Sequence, residues 1–265
     1  MGPARRRAVP ILLYHAVGPA PRETGWPWTL DPGLFEAQMA YLAEAGYRTT
    51  TVGDLGSAVT ASAPTVAITV DDALADFHER VLPVLARYRM TATLYVPTGL
   101  VDGSADWLPA TVDRRMLSWD RLREAASTGV EVGAHGHTHR RLDRAGGDLR
   151  TELTRPREEL RQRLGMPVTS LAYPFGDYDG RVLAAARAAG YTSGLTMNRY
   201  AACRGDDPLE LPRIAITAGT TVAGLRRLLE TTGGRPRRAA LRAERRLRRA
   251  GERIGERVTL GAPRC

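Results

Sequence analysis

Short apolar, β-branched runs alternate with longer amphipathic stretches along most of the chain. The run at 65–70, Thr-Val-Ala-Ile-Thr-Val after Pro64, is apolar on both faces, the pattern of a buried strand. Similar runs predict strands at 9–14, 47–52, 91–96, 130–134, 168–172, 191–196 and 211–217. Between them the period changes to that of a helix. Asp31 and Pro32 are suited to the cap and first position of a helix whose apolar face is Phe35, Met39 and Leu42, closed by Gly46. Further helices are expected at 53–61, where the pattern is short, at 76–88 despite Pro83, and at 119–127 behind Ser118. Others follow at 149–164, with Pro156 delaying the true start, at 181–189 before Gly190, and at 222–230. A loop fills 97–117.

Strand and helix alternate without a run of hairpins, which implies a parallel sheet. At 265 residues a closed, deformed (β/α) barrel of seven or eight parallel strands is favoured over an open sheet. The expected division is a basic segment 1–8, a barrel domain 9–232, and an arginine-rich helical extension 233–265. The hydrophobic fraction of 43% supports a proper core. Two cysteines, Cys203 and Cys265, make neither a disulfide framework nor a zinc ribbon. Arg5 to Arg7 and the apolar run after them imitate a leader, but the run is too short and ends in Tyr14-His15. It reads as the first strand, and the expected location is cytoplasmic.

Charge changes this picture only at one end. All 38 basic residues are arginine, and the formal charge is +9. From Arg235 onward 11 Arg face 3 Glu, so +8 of the +9 lies in the extension and the barrel is nearly neutral. Ala240, Ala243, Leu247, Ala250 and Ile254 form a narrow apolar seam on that extension. Its expected role is reversible contact with an anionic membrane at the inner face, with a solvated basic extension as the plainer alternative. Nucleic acid is disfavoured, because no nucleic-acid-binding pattern accompanies the arginines.

The candidate chemistry sits after the predicted strands. Three of the five histidines lie at 135, 137 and 139, and His135 and His139 would share a face of one helical turn. Asp71 and Asp72 close the strand at 65–70. Adjacent carboxylates are unfavourable without a cation or proton, and on an extended strand they would face opposite ways. Asp72 alone could instead cap a helix. Two histidines and a carboxylate make a three-ligand catalytic metal site with an open position. His15, Asp71-Asp72, His135 and Tyr173-Pro174-Phe175-Gly176 each follow a different strand, where barrel active sites gather.

These residues resemble the polysaccharide deacetylases of carbohydrate esterase family 4, the NodB homology domain. Thr69-Val70-Asp71-Asp72 is similar to the first motif, T-F-D-D; His135 to His139 to the second, H-[ST]-x-x-H, with Gly136 for Ser/Thr. Pro174-Phe175-Gly176 is similar to the third, R-x-P-Y-G, with Phe for Tyr. The third-motif arginine, which braces the catalytic aspartate in much of the family, is Ala172 here, and no closing Leu-x-His supplies a general acid. Both departures, and the opening Ile11-Leu12-Leu13-Tyr14-His15, resemble the branch of poly-β-1,6-N-acetylglucosamine deacetylases.

The resemblance implies Asp72, His135 and His139 as metal ligands, Asp71 as general base and His15 as general acid. It implies the Phe175 backbone N–H at the oxyanion, with Tyr173 and Pro174 beside the substrate. The implied cofactor is a divalent metal, Zn²⁺ first and Co²⁺, Ni²⁺ or Fe²⁺ as alternatives. The implied partner is an N-acetylated sugar or polysaccharide, which loses its acetyl group as acetate. Other outcomes are a deacylase of a small glycoside or cyclic amide, and a catalytically silent nucleic-acid- or carbohydrate-binding protein. His137 is expected either to line the sugar site or to play no part; Trp26, Tyr173 and Trp107 either to stack on sugar or to pack in the core. For the missing brace the expectation is Arg213, reaching Asp71 or Asp177.

Overall fold

The computed structural model describes residues 9–19, 25–58, 63–197 and 207–231. The extension from 232 onward, with its apolar seam, lies outside the described residues. Eight strands form one parallel sheet: β1 (Ile11–Tyr14), β4 (Arg48–Thr50), β5 (Thr65–Val70), β6 (Thr93–Val96), β7 (Glu131–Ala134), β8 (Ser170–Ala172), β9 (Ser193–Leu195) and β10 (Ile214–Ala215). Two short strands, β2 (Ala16–Val17) and β3 (Thr29–Leu30), pair separately. The order β10-β1-β5-β6-β7-β8-β9, with β4 beside the start of β5, curls the sheet. Leu211 bridges to Leu195 while Ile214 pairs with Leu12, so the segment 211–215 touches both edges. This is the expected deformed (β/α) barrel.

The strand period of two sorts the side chains into layers. Leu12, Val66, Ile68, Leu94, Val132 and Leu171 face the helices in the main core. Ile11, Ala67, Tyr95 and Ala172 face the barrel interior with Thr69, Thr93 and Ser170. Much of that interior is polar: Glu131 accepts hydrogen bonds from Thr93 Oγ1 (2.9 Å), Ser170 Oγ (2.8 Å) and the Gly53 N–H (2.9 Å).

Helices α1 (Pro32–Glu44), α2 (Leu55–Ala58), α3 (Leu82–Arg87), α4 (Trp119–Ser127), α5 (Leu149–Leu164), α6 (Gly180–Ala188) and α7 (Val222–Thr231) follow the expected order. Asp31 caps α1 by accepting from Leu34 N–H, and Ser118 caps α4 through Arg121 N–H. The helix expected at 76–88 is instead a π-turn, Phe77–Val81, running into α3. The Leu82 N–H reaches back to Phe77 O, five residues away, and the widened turn accommodates Pro83, which has no N–H to give. Pro156 does not delay α5; it lies inside the helix, four residues after Glu152.

Candidate active site

Asp71 continues the inward phase of Ala67 and Thr69, and His135 that of Glu131 and Gly133, so both enter the barrel mouth. Asp72 does not face the opposite way as an extended chain would require. The strand ends at Val70, and Asp72 takes φ +76 and Ala73 φ +54. This left-handed turn brings the second carboxylate into the same pocket. Nor do the histidines share a helical turn: residues 135–139 form a loop with Gly136 at φ +72 and His139 at φ +55. A left-handed non-glycine ligand is a strained conformation costing on the order of 1–3 kcal/mol, which its surroundings must hold. Asp72 caps no helix.

The two carboxylates have different partners. Arg213 is fully buried and grips Asp71 with both arms of its guanidinium, Nη1 to Oδ1 at 2.6 Å and Nη2 to Oδ2 at 2.8 Å. Its Nε donates to Thr196 O (3.1 Å), and Nη1 also reaches Thr69 Oγ1 (3.3 Å). Burial alone would raise the Asp71 carboxyl, but Arg213 and His135 together hold it below its ordinary value. Arg213 thus stands where Ala172 lacks an arginine, while Asp177 pairs with Arg141 (3.0 Å).

Asp72 faces imidazoles. Its Oδ1 lies 3.1 Å from His139 Nε2 and 3.5 Å from His135 Nε2, and all three residues are buried. His135 Nδ1 sits 2.8 Å from Ala172 O, which fixes the N–H on that side and turns the Nε2 lone pair toward Asp72. A neutral His135 therefore opposes one acceptor to another, and Asp72 Oδ1 has no hydrogen-bond partner. A cation resolves that conflict. Asp72, His135 and His139 can each offer one ligand atom, all within 4.8 Å of one another, so the residues present fit a metal. Asp71 and Asp72 pull the His135 pKa up against burial, whereas burial lowers that of His139. Asp72 itself is held well below the carboxylate range, burial being outweighed by the two histidines.

Around this centre lies a cavity of about 300 Å³ with aromatic walls. Trp107 stacks on the His139 ring (centroids 4.0 Å, planes 21° apart), and Phe175 packs against the same ring at 4.8 Å, tilted by 57°. Phe175 is 49% exposed and has φ +60, which lifts it to the rim. His15 lies between Trp26 (5.8 Å) and Trp28 (4.7 Å), and burial lowers its pKa. Trp28, Leu108 and Met197 also line the cavity. Sequence reasoning missed all three, since only the fold brings them together.

Tyr173, Pro174 and His137 lie deeper or turned aside. The Tyr173 ring is fully buried, stacks on Tyr178 at 4.6 Å and donates its hydroxyl to Leu209 O (2.9 Å), so it forms floor and core rather than a sugar platform. Pro174 is buried beside it, next to Gly136. His137 turns away from the cavity toward Thr98 Oγ1 (3.0 Å) and Glu159 (3.7 Å).

The family model for polysaccharide deacetylases matches residues 58–194, just over half of the chain, and spans Asp71 to Phe175. The chain belongs to the polysaccharide deacetylase family. It is accordingly an enzyme, a hydrolase acting on a carbohydrate. YxkH of Bacillus subtilis strain 168, which is named as a polysaccharide deacetylase, is 27% identical over 216 residues, 80% of this chain and 72% of that protein. Among solved structures, the Streptococcus pyogenes deacetylase PplD in complex with acetate superposes with a TM-score of 0.74 at 28% identity. The match covers 84% of this chain and 98% of that one. BC0361, a polysaccharide deacetylase from Bacillus cereus, gives 0.74 at 25% identity, covering 84% and 69%.

Proposed function

We infer that this member of the family is a metal-dependent N-deacetylase of N-acetylglucosamine-type sugars, in a polymer or a small glycoside, releasing acetate. The observation that carries the reading is the division of labour between neighbouring carboxylates. Asp71 is locked to Arg213, while Asp72 faces two imidazole nitrogens. The first arrangement keeps a base ionised; the second holds a divalent metal with a position left open.

Zn²⁺ suits a two-histidine, one-carboxylate set, as do Co²⁺, Ni²⁺ and Fe²⁺. Bound there, the ion supplies Lewis-acid polarisation of the acetamide carbonyl. Asp71 takes the proton of the attacking water, its orientation fixed by the two-armed grip of Arg213. The Phe175 backbone N–H donates to the oxygen that gains charge, a contribution on the order of 3 kcal/mol in comparable sites. His15 gives a proton to the leaving amine, from an imidazole set between two tryptophans at the cavity wall. The aromatic faces of Trp26, Trp28 and Trp107 suit the apolar side of a sugar ring.

The test is a panel of N-acetylated sugars assayed for acetate release, alongside elemental analysis of the bound metal. His139→Ala should lose both metal and activity. Asp71→Asn should keep stoichiometric metal and lose activity by several orders of magnitude. Full metal in His139→Ala, or full activity in Asp71→Asn, would end the reading.

A further inference from the structure

The second motif departs from the family pattern at Gly136, where a serine or threonine would stand between the two histidines. The structure places a buried acid against that position. Glu152, in the first turn of α5, is 3% exposed and turns inward under the loop that carries His135 and His139. Its Oε2 accepts the backbone N–H groups of His137 and Thr138, both at 2.9 Å, and its Oε1 accepts the Thr138 hydroxyl at 2.6 Å. Arg140 Nε lies 3.4 Å from Oε1. All of these neighbours are donors, which suits a carboxylate, an acceptor at both oxygens, better than an amide.

The clamp also explains the glycine. A Cβ built on Gly136 would meet Glu152 Oε2 at 3.3 Å and Pro174 Cγ at 3.4 Å, and the backbone there has φ +72. A side chain at 136 would crowd the Glu152 carboxylate, and the positive φ would strain it whatever the space. Directly after the two clamped residues comes His139 at φ +55, a conformation that an imidazole ligand does not hold unaided.

We propose that Glu152 is a positioning residue for the metal centre: it fixes residues 137 and 138 so that His139 is presented to the ion beside Asp72 and His135. The role rests on the metal reading above. It acts through the backbone and the Thr138 hydroxyl, touching neither ion nor substrate.

The experiment measures Zn²⁺ affinity of the full chain by competition with a chromophoric chelator, with unfolding followed in parallel. Glu152→Ala should bind Zn²⁺ about 10–100-fold more weakly than wild type, the range seen when a partner of a ligand is removed. Glu152→Gln, which retains an acceptor for the two N–H groups, should fall between. Glu131→Ala is the control, because Glu131 accepts the same number of hydrogen bonds at the opposite end of β7. It should lose stability and keep wild-type Zn²⁺ affinity. Wild-type affinity in Glu152→Ala, or an equal loss in Glu131→Ala, overturns the proposal. Should Glu152→Ala fail to fold, Thr138→Val removes the hydroxyl arm alone and should weaken Zn²⁺ severalfold; no change there overturns it equally. Absence of Zn²⁺ binding in the wild type is a separate result, which overturns the metal reading and this inference with it.

Discussion

The grip of Arg213 on Asp71 can be broken by one substitution with little change in volume, Arg213→Met. Arg213 is 0% and Asp71 3% exposed, so water cannot take over the two hydrogen bonds that are lost. Removing one partner of a buried pair typically costs about 3–5 kcal/mol, most of it the penalty of an unpaired buried charge. Asp71 escapes that penalty by taking up a proton. Its carboxyl should therefore rise from its depressed position, because burial, the largest influence on it, is then opposed mainly by His135. The direction of the pH effect follows. In the wild type a depressed pKa contributes stability above the ordinary carboxylate value, and this is lost as pH falls through the folded value. In Arg213→Met that contribution is gone.

Two assays read this. The acidic limb of kcat/KM for acetate release, with metal saturating, should move toward higher pH in Arg213→Met. Urea unfolding should show a larger destabilisation at pH 7, where Asp71 must stay charged, than at pH 4, where it need not. Arg213→Lys should recover part of the shift, since it restores the charge without the two-armed geometry. An unchanged acidic limb and rate in Arg213→Met would refute the assignment of Asp71 as a base held ionised by this arginine.

Two other outcomes are expected. Asp76 is buried and accepts the Val17 N–H, and desolvation pushes its carboxyl up to about 7. A raised carboxyl stabilises the fold at low pH and loses that contribution as pH rises from about 4 to 7, by at most about 4 kcal/mol. Asp76→Asn should therefore flatten the fall in urea midpoint between pH 5 and pH 8, and parallel curves for the two proteins would dismiss the argument. The arginine-rich sequence from Arg235 should carry the full chain onto anionic but not neutral vesicles. Truncation after Gly234 should abolish co-sedimentation and spare activity on a soluble sugar; equal sedimentation of the truncated chain would end the membrane proposal.

Much of the barrel was legible because its strands are buried on both faces, so that a run such as 65–70 has no polar phase to confuse it. The strand ends were less so. The strand expected at 211–217 is reduced to Ile214–Ala215 beside β1, with Leu211 bridging separately to Leu195, because pairing, not apolar character, decides where a strand stops. The ligand residues stand out as residue types after strands, but their geometry does not. The pattern implies an extended phase for Asp72 and a helical turn for His139, and both residues take positive φ instead. Left-handed backbone at an aspartate or histidine leaves no mark in a hydropathy pattern. Nor does a contact between Trp28 and His15, since aromatic spacing within a loop says nothing of where the loop folds.

Gly136 and Ala172 are two of the places where the chain departs from the motifs it otherwise resembles, and the fold answers each from elsewhere in the sequence. Ala172 has no guanidinium to offer, and Arg213 crosses the barrel interior to Asp71 with both arms. Gly136 has no hydroxyl, and Glu152 binds the next two residues from a helix. What the chemistry requires is a base that stays ionised and a ligand that stays aimed; neither requirement names the residue that must meet it. A curled parallel sheet brings several strand ends to one mouth, so a donor or acceptor can enter from any of them. A motif read along the chain registers such a replacement as a loss. The pocket registers it as a guanidinium approaching Asp71 from another strand, and that is why the missing arginine at 172 does not argue for a silent site.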